Sequence, residues 1–156
     1  IDLGIKDLCI TSKGKKYENP KTIRKYEKKL AKLQRQLAHK KKRSQNYNKI
    51  KKKIALCHEK ITNSRKDYLH KISHEIISEN QVIVSENLQI QNMVKDHHLA
   101  KAISDVSWYE LTRQLEYKAK WNGRKYIKID TFYASSQLCS VCGYQNTEIK
   151  DLQMRN

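Results

Sequence analysis

The chain of 156 residues has a single proline and four glycines. So few turn formers predict long uninterrupted elements and argue against a fold of many short strands. No apolar run reaches about 18 residues and no signal-peptide pattern is seen, so the sequence reads as soluble and intracellular. Cysteine is sparse as well. Cys9, Cys57, Cys139 and Cys142, in a lysine-rich and cytosolic-looking chain, read as reduced thiols plus a metal pair, not as a disulfide framework. No methionine precedes Met93, which reads as a segment that begins inside a longer protein. The least evenly distributed scarcity is of acids. Residues 13–71 hold 22 Lys/Arg against 4 Asp/Glu, whereas the rest of the chain is close to neutral within an overall charge of +17. One segment therefore carries the whole charge excess, and a polyanion is its natural partner. Anionic lipid fits less well, because the helices expected there lack a bulky Trp- or Phe-bearing apolar face.

What is present reads as an α/β chain. Ile1, Leu3 and Ile5, then Leu8 and Ile10, alternate with polar residues and predict two or three short antiparallel strands, with turns near Lys6–Asp7 and Lys13–Gly14. Asn19-Pro20 predicts a helix start, with Asn19 as N-cap and Pro20 first in the helix. Ile23, Tyr26, Leu30, Leu33 and Leu37 then recur at helical steps. This first helix is expected over 20–43, about 36 Å long at ~1.5 Å per residue. After a polar break, Ile50, Ile54, Cys57, Ile61, Tyr68, Ile72 and Ile76 mark a second long helix, folded back on the first as a hairpin. Gln81–Leu88 reads as a buried strand ending near Glu86, and a short helix is expected around Leu99–Ile103. Ser107 and Glu110 form a capping box for a helix that stops at Asn122-Gly123. Residues 124–132 alternate again as a further strand.

Several groups could carry chemistry. Asp2, in the first strand, and Glu86, at the end of the middle one, would converge if those strands are neighbours, and converging carboxylates suit Mg²⁺. From spacing alone they could equally be solvated surface acids. Cys139-x-x-Cys142 followed by Gly143 is the half-knuckle of a zinc site; a redox pair would need a helix start after a strand. Cys9 and Cys57 read as buried packing residues. His97-His98 reads as loop solvent more readily than as a metal pair. Trp108, Tyr109 and Trp121 read as core or hinge packing. Asp105 and Asp130 lie near element ends, Asp130 being the better candidate for a further metal ligand and a turn role the plainer alternative. The basic run could be only a solvated face, yet the i+4 acids that such a helix would use are nearly absent.

Four stretches, IDLGIKDLCITSKG, VIVSENL, HHLAKAISDVSWYELTRQLEYKAKWNGRKYIKID and SSQLCSVCGY, together resemble the TnpB (OrfB) family of insertion-sequence proteins, RuvC-like RNA-guided DNA nucleases related to the type V CRISPR effectors. The resemblance covers nearly the whole chain in the family's order. It implies an RNase H-like (RuvC) mixed sheet with its first strands in 1–18, an inserted basic helical hairpin in 19–80, the rest of the core in 81–131 and the first half of a zinc ribbon in 132–156. It implies that Asp2 and Glu86 are catalytic carboxylates holding Mg²⁺, and that Cys139 and Cys142 are zinc ligands. The second thiolate pair and a third carboxylate, which Asp151 does not supply, would lie past Asn156. It further implies DNA and a guide RNA as partners, gripped by Arg24, Lys28, Lys32, Arg35, Lys41, Lys42, Arg43, Lys49, Lys52 and Lys53. Phosphodiester hydrolysis would then belong to a transposon-encoded parent in the cytoplasm of a prokaryotic cell, at the nucleoid, and this piece alone would cleave poorly. The alternative is a non-catalytic nucleic-acid-binding module, or truncated remnant, that acts through the hairpin.

Overall fold

Apolar–polar alternation at the start of the chain gives three short strands, β1 (Asp2–Leu3), β2 (Asp7–Ile10) and β3 (Lys16–Glu18). They form an antiparallel sheet in which Leu3 faces Cys9 and Cys9 faces Tyr17 across the ladder. The β2–β3 turn falls where Lys13–Gly14 predicts it. Gly14 takes φ +79, a left-handed conformation that glycine adopts without strain, and its amide donates to the Thr11 carbonyl at 2.9 Å. The β1–β2 turn comes slightly earlier than expected, since Asp7 already belongs to β2. These coordinates are a computed structural model that describes residues 1–88, 100, 103, 106–129, 142 and 144–146.

Helix α1 (Thr22–Ala38) starts two residues later than Asn19-Pro20 suggested. Asn19 does not cap it: its Oδ1 accepts from the Lys21 amide at 3.0 Å and its Nδ2 donates to the Ile5 carbonyl at 3.0 Å. That local turn sends Lys21 into the left-handed region at φ 47, and the helix begins beyond it. The other end also comes early. After Leu37 the run His39–Arg43 offers no apolar residue to continue the stripe, so α1 has 17 residues and is about 25 Å long. Ser44 then caps α2 (Gln45–Glu79), its Oγ accepting from the Tyr47 amide at 3.1 Å.

Helix α2 has 35 residues and belongs to two hydrophobic clusters. Its N-terminal half packs Cys57 and Ile61 against Leu30 and Leu33 of α1, with Ile23, Tyr26 and Ile54 around them. Its C-terminal half enters the main core through Leu69, Ile72, Ile76 and Ile77, beside Leu8, Cys9, Ile83, Leu111 and Leu115. Lys15, at the tip of the β2–β3 hairpin, holds this end of α2 through ion pairs with Glu75 and Glu79.

Strand β4 (Val82–Glu86) pairs in parallel with β5 (Lys125–Ile129), Glu86 opposite Ile129, through helix α3 (Trp108–Trp121). β4 is not the wholly buried strand that its apolar run suggested. Ile83 is 3% exposed, but Val82 and Val84 are 53% and 36% exposed, so only one face of the pleat meets the helices. The two sheets touch where the Ile1 nitrogen donates to the Val84 carbonyl at 2.6 Å. The strands thus run β3-β2-β1 and then β4-β5, two small sheets side by side in a mixed α/β architecture. Of the short helix expected around Leu99–Ile103, Ala100 and Ile103 are described and helical, and Ile103 is buried. Among the described residues no helix is long and apolar enough to cross a membrane.

The capping box at α3 does not form: Ser107 has φ 56 and makes no side-chain cap. The reason is competition for Glu110. Its carboxylate accepts from Arg113 Nε and Nη2, both at 2.8 Å, and from Gln114 Nε2 at 2.9 Å. The Arg113 guanidinium holds the Glu110 carboxyl down to about 2. The helix ends as expected: Gly123 has φ 62 and the Arg124 amide donates to the Ala119 carbonyl at 2.8 Å, a Schellman closure. Between α2 and α3, the buried Ser73 Oγ bonds Gln114 Oε1 at 2.9 Å and accepts from Lys118 Nζ at 2.7 Å. Ser73→Ala would leave buried Gln114 without that partner. It is expected to cost about 1–3 kcal/mol, read as a lower urea midpoint at unchanged slope; an unshifted midpoint would mean that the network does not stabilise the fold.

Candidate functional site

Parity along the strands decides where the carboxylates go. Side chains alternate between faces of a strand, and Leu3, Ile83 and Ser85 are buried toward the helices. Asp2 and Glu86 have the opposite parity to these neighbours, so both lie on the outward side of adjoining strands. Asp2 is exposed and Glu86 half-buried. Partial burial pushes the Glu86 carboxyl above its ordinary range, and the negative charge of Asp2 adds to that rise. Glu86 therefore feels the charge of an acid far away in the sequence. Like charges held together in a partly desolvated place are costly unless a proton or a cation intervenes.

Among the described residues no three His, Cys, Asp or Glu side chains gather as a metal cluster; Asp2 and Glu86 are a pair. Asp105, Asp130 and Asp151 lie outside the described residues, as do His97, His98 and Cys139. Cys142 is described and exposed. Cys9 and Cys57 are buried, as the sequence suggested, and burial pushes the Cys9 thiol up to about 12, which keeps it protonated and unreactive.

The hairpin supplies the cations. Arg24, Lys28, Lys32 and Arg35 recur at steps of four, four and three along exposed α1, and Lys41, Lys42 and Arg43 form the tip. Lys49, Lys52 and Lys53 continue the exposed basic surface onto α2. Among the described residues none of these ten is in an ion pair; ion pairs on α2, Lys71–Asp67 and those of Glu75 and Glu79 with Lys15, lie near the base of the hairpin. Because α2 runs on into the main core, the basic arm and the strands that carry Asp2 and Glu86 share one continuous helix as support.

Sequence reasoning missed a cleft of about 280 Å³ at the carboxyl ends of β4 and β5. It reaches Glu86 and is bordered by Tyr109, Thr112, Arg113 and Lys128. The ends of parallel strands are where open α/β sheets place ligands, and the parallel β4–β5 pairing was the signal that could have found it. The aromatic residues here depart from expectation. Trp108 is core at 2% exposure, but Tyr109 and Trp121 are 69% and 79% exposed, because on α3 they lie off the stripe that meets α2. Trp121 rests edge-on against Tyr117, 4.7 Å between ring centres.

Comparison with known proteins gives two family matches. Residues 1–97 match OrfB_IS605, described as "Probable transposase", and residues 108–156 match the Cas12f1-like TNB domain. The chain is similar to a "Putative RNA-guided DNA endonuclease" of Streptomyces pristinaespiralis, 46% identical over 143 residues, or 92% of this chain and 36% of that one. It is similar to "Putative RNA-guided DNA endonuclease InsQ" of Escherichia coli K12, 37% identical over 163 residues, or 95% of this chain and 40% of that one. A TnpB-like protein of Acanthamoeba polyphaga mimivirus is 26% identical over 115 residues, or 70% of this chain and 21% of that one. The chain thus spans well under half the length of these relatives.

Proposed function

Because the chain belongs to the OrfB_IS605 (TnpB) family of probable transposases, we propose that it is the portion of an RNA-guided DNA endonuclease that bears two metal-binding carboxylates and a nucleic-acid-gripping arm. The carrying observation is the placement of Asp2 and Glu86 on one outward side of adjoining strands, where the charge of Asp2 raises the Glu86 carboxyl. The strand sequence β3-β2-β1 beside β4-β5, with helices on one face, supports an RNase H-like (RuvC) core. The names of the relatives support DNA and a guide RNA as partners, and the prokaryotic cytoplasm, at the nucleoid, is the place of action this reading proposes. Cys139 and Cys142 would be two thiolates of a structural zinc site.

Mg²⁺ fits the donor set: both ligands are hard carboxylate oxygens, and Glu86 is held where a neighbouring cation would relieve its burial and its repulsion by Asp2. Bound there with a third carboxylate, the ion would polarise the scissile phosphate and lower the pKa of the attacking water. What the chain's own residues do is separable from that. Asp2 and Glu86 place two carboxyl groups together at the strand ends. The arm holds phosphates, and the α2–α3 core keeps one rigid to the other.

This reading predicts a stability trade. A carboxyl raised by folding ionises in the unfolded chain first, so stability falls as pH rises from the unfolded to the folded pKa of Glu86 and stays reduced above it. Glu86→Gln is therefore expected to stabilise the metal-free chain at pH 7, by roughly 0.5–2 kcal/mol as is common for relieved functional sites. Millimolar Mg²⁺ should raise the melting temperature of the wild type and not of Glu86→Gln. Equal Mg²⁺ responses would count against the pair as a metal site. A second reading, a binding module without catalysis, is favoured by the ten exposed cations of the hairpin. It predicts the same affinity for nucleic acid but no Mg²⁺ response at Asp2 and Glu86.

A further inference from the structure

Between α1 and α2 runs a groove of about 550 Å³, within the roughly 300–1,000 Å³ usual for small-ligand sites. Its floor is apolar, made by Leu33, Leu56 and Cys57. Lys29 and Lys32 rise on the α1 side and Lys53 and Lys60 on the α2 side, and no carboxylate lines it. Among the described residues none of the four lysines is ion-paired. Grooves that only grip a duplex backbone need no apolar floor, since phosphates are met by charge. Here an apolar surface is left open beneath the cations: Leu56 is 46% exposed on a helix whose apolar stripe is otherwise covered.

We propose that this groove takes one unpaired nucleotide of a bound nucleic acid, its base lying on exposed Leu56 above the buried Leu33 and Cys57 and the flanking phosphates on the lysines of the two helices. The proposal rests on the reading of the hairpin as a nucleic-acid arm and adds what that arm selects. Charge complementarity fixes the ligand as an anion. The floor requires it to carry an apolar, desolvated part. A third helix would need an exposed apolar stripe several turns long, and Leu56 is the one large hydrophobic residue exposed on the hairpin among the described residues. A single flat base suits a single exposed leucine. Gln36, at the groove's edge, offers an amide donor and acceptor to the base edge. Bulges and loops, whose bases are already splayed out, are the places where such contacts can form.

The test measures binding of the 156-residue chain to an RNA stem with a one-nucleotide bulge, to the same stem fully paired, and to the same stem with an abasic bulge. DNA versions of all three separate an RNA strand from a DNA strand as the source of the nucleotide. The bulged stem is expected to bind roughly tenfold tighter than the paired one, from the apolar area that one base and Leu56 remove from water. The abasic bulge should bind like the paired stem. Leu56→Ser, at a half-exposed position that leaves the fold intact, should erase the preference without changing affinity for the paired stem. Lys51→Ala, on exposed α2 outside the groove, should weaken all three stems equally. A wild type that binds bulged and paired stems alike, or a preference that survives Leu56→Ser, overturns the groove assignment while leaving the arm reading standing. Failure to bind any stem removes both. Leu56-dependent capture of an acidic amphipathic peptide, without a bulge preference, would also overturn the assignment and make the occupant a protein segment.

Discussion

Charge reversal of Arg24, Lys28, Lys32 and Arg35 to Glu is expected to lower affinity for duplex DNA by about three orders of magnitude or more near 0.1 M salt. The estimate follows from counterion release: each phosphate neutralised adds about 0.9 to the slope of log affinity against log salt, so four lost contacts flatten that slope by roughly 3.6. Opposed charges would add repulsion to that loss. The four side chains are exposed, whereas the hairpin's own cluster, Leu30, Leu33, Cys57 and Ile61, is untouched, so helicity by circular dichroism should persist. The reversed side chains repeat the like-charge i,i+4 spacing with the opposite sign but gain Lys21, Lys25 and Lys29 as opposite charges three residues before them, so the hairpin should keep about its stability. Filter binding across a salt series reads both quantities together. A quadruple variant with wild-type affinity and slope would place the ligand elsewhere than on α1.

Much of the architecture could be read from the residues, and the failures share a cause. The β2–β3 turn at Gly14, the apolar stripe of α2 and the Gly123 stop of α3 are local: a backbone conformation or a period of 3.6 is written in adjacent residues. Where a long-range partner competes, local reading loses. Asn19 carries the side chain of a helix cap, but the Ile5 carbonyl takes its amide. Glu110 stands three residues after a serine, but Arg113 and Gln114 hold its carboxylate. β4 looked wholly buried because Val-Ile-Val has no polar partner to show the alternation, and only the one-sided helix packing separates its faces. The end of α1 was overestimated because lysines extend a helix in propensity while adding nothing to the stripe that stabilises it.

The candidate site divides in the same way. That Asp2 and Glu86 belong to strands was visible in the pattern. That β1 lies against β4 rests on the Ile1–Val84 contact across 83 positions, which no spacing encodes, and resemblance to a family supplied it in advance. The buried Ser73–Gln114–Lys118 network was invisible, because polar residues on a helix stripe read as solvent-facing until the partner helix is known.

On the proposed endonuclease reading, Asp2→Ala in the full-length, RNA-guided protein is expected to reduce Mg²⁺-dependent cleavage of a matched duplex by about 10³-fold or more. A correctly held ion stabilises the charge of the transferring phosphoryl group by several kcal/mol, and each ~1.4 kcal/mol lost is tenfold in rate. Loss of one of the two proposed ligands, on an exposed strand position outside the core, should remove most of that without disturbing the fold. Binding should move the other way. Asp2 is a negative charge beside a polyanion's path, so its removal leaves affinity for the guide and target equal or slightly higher, and the hairpin that carries the cations is untouched. Glu86→Ala should behave alike, and the double variant should cost little more than either single one, since residues that act as one unit are not additive. Single-turnover cleavage measured beside equilibrium binding separates the outcomes. Cleavage lost with binding kept assigns both carboxylates to the reaction. Cleavage kept in both variants would leave the arm as the working part of this chain and place the nuclease centre on other residues. Equal loss of binding and cleavage would mean that the substitutions had damaged the β1–β4 junction itself, which the melting temperature of the shorter chain would report directly.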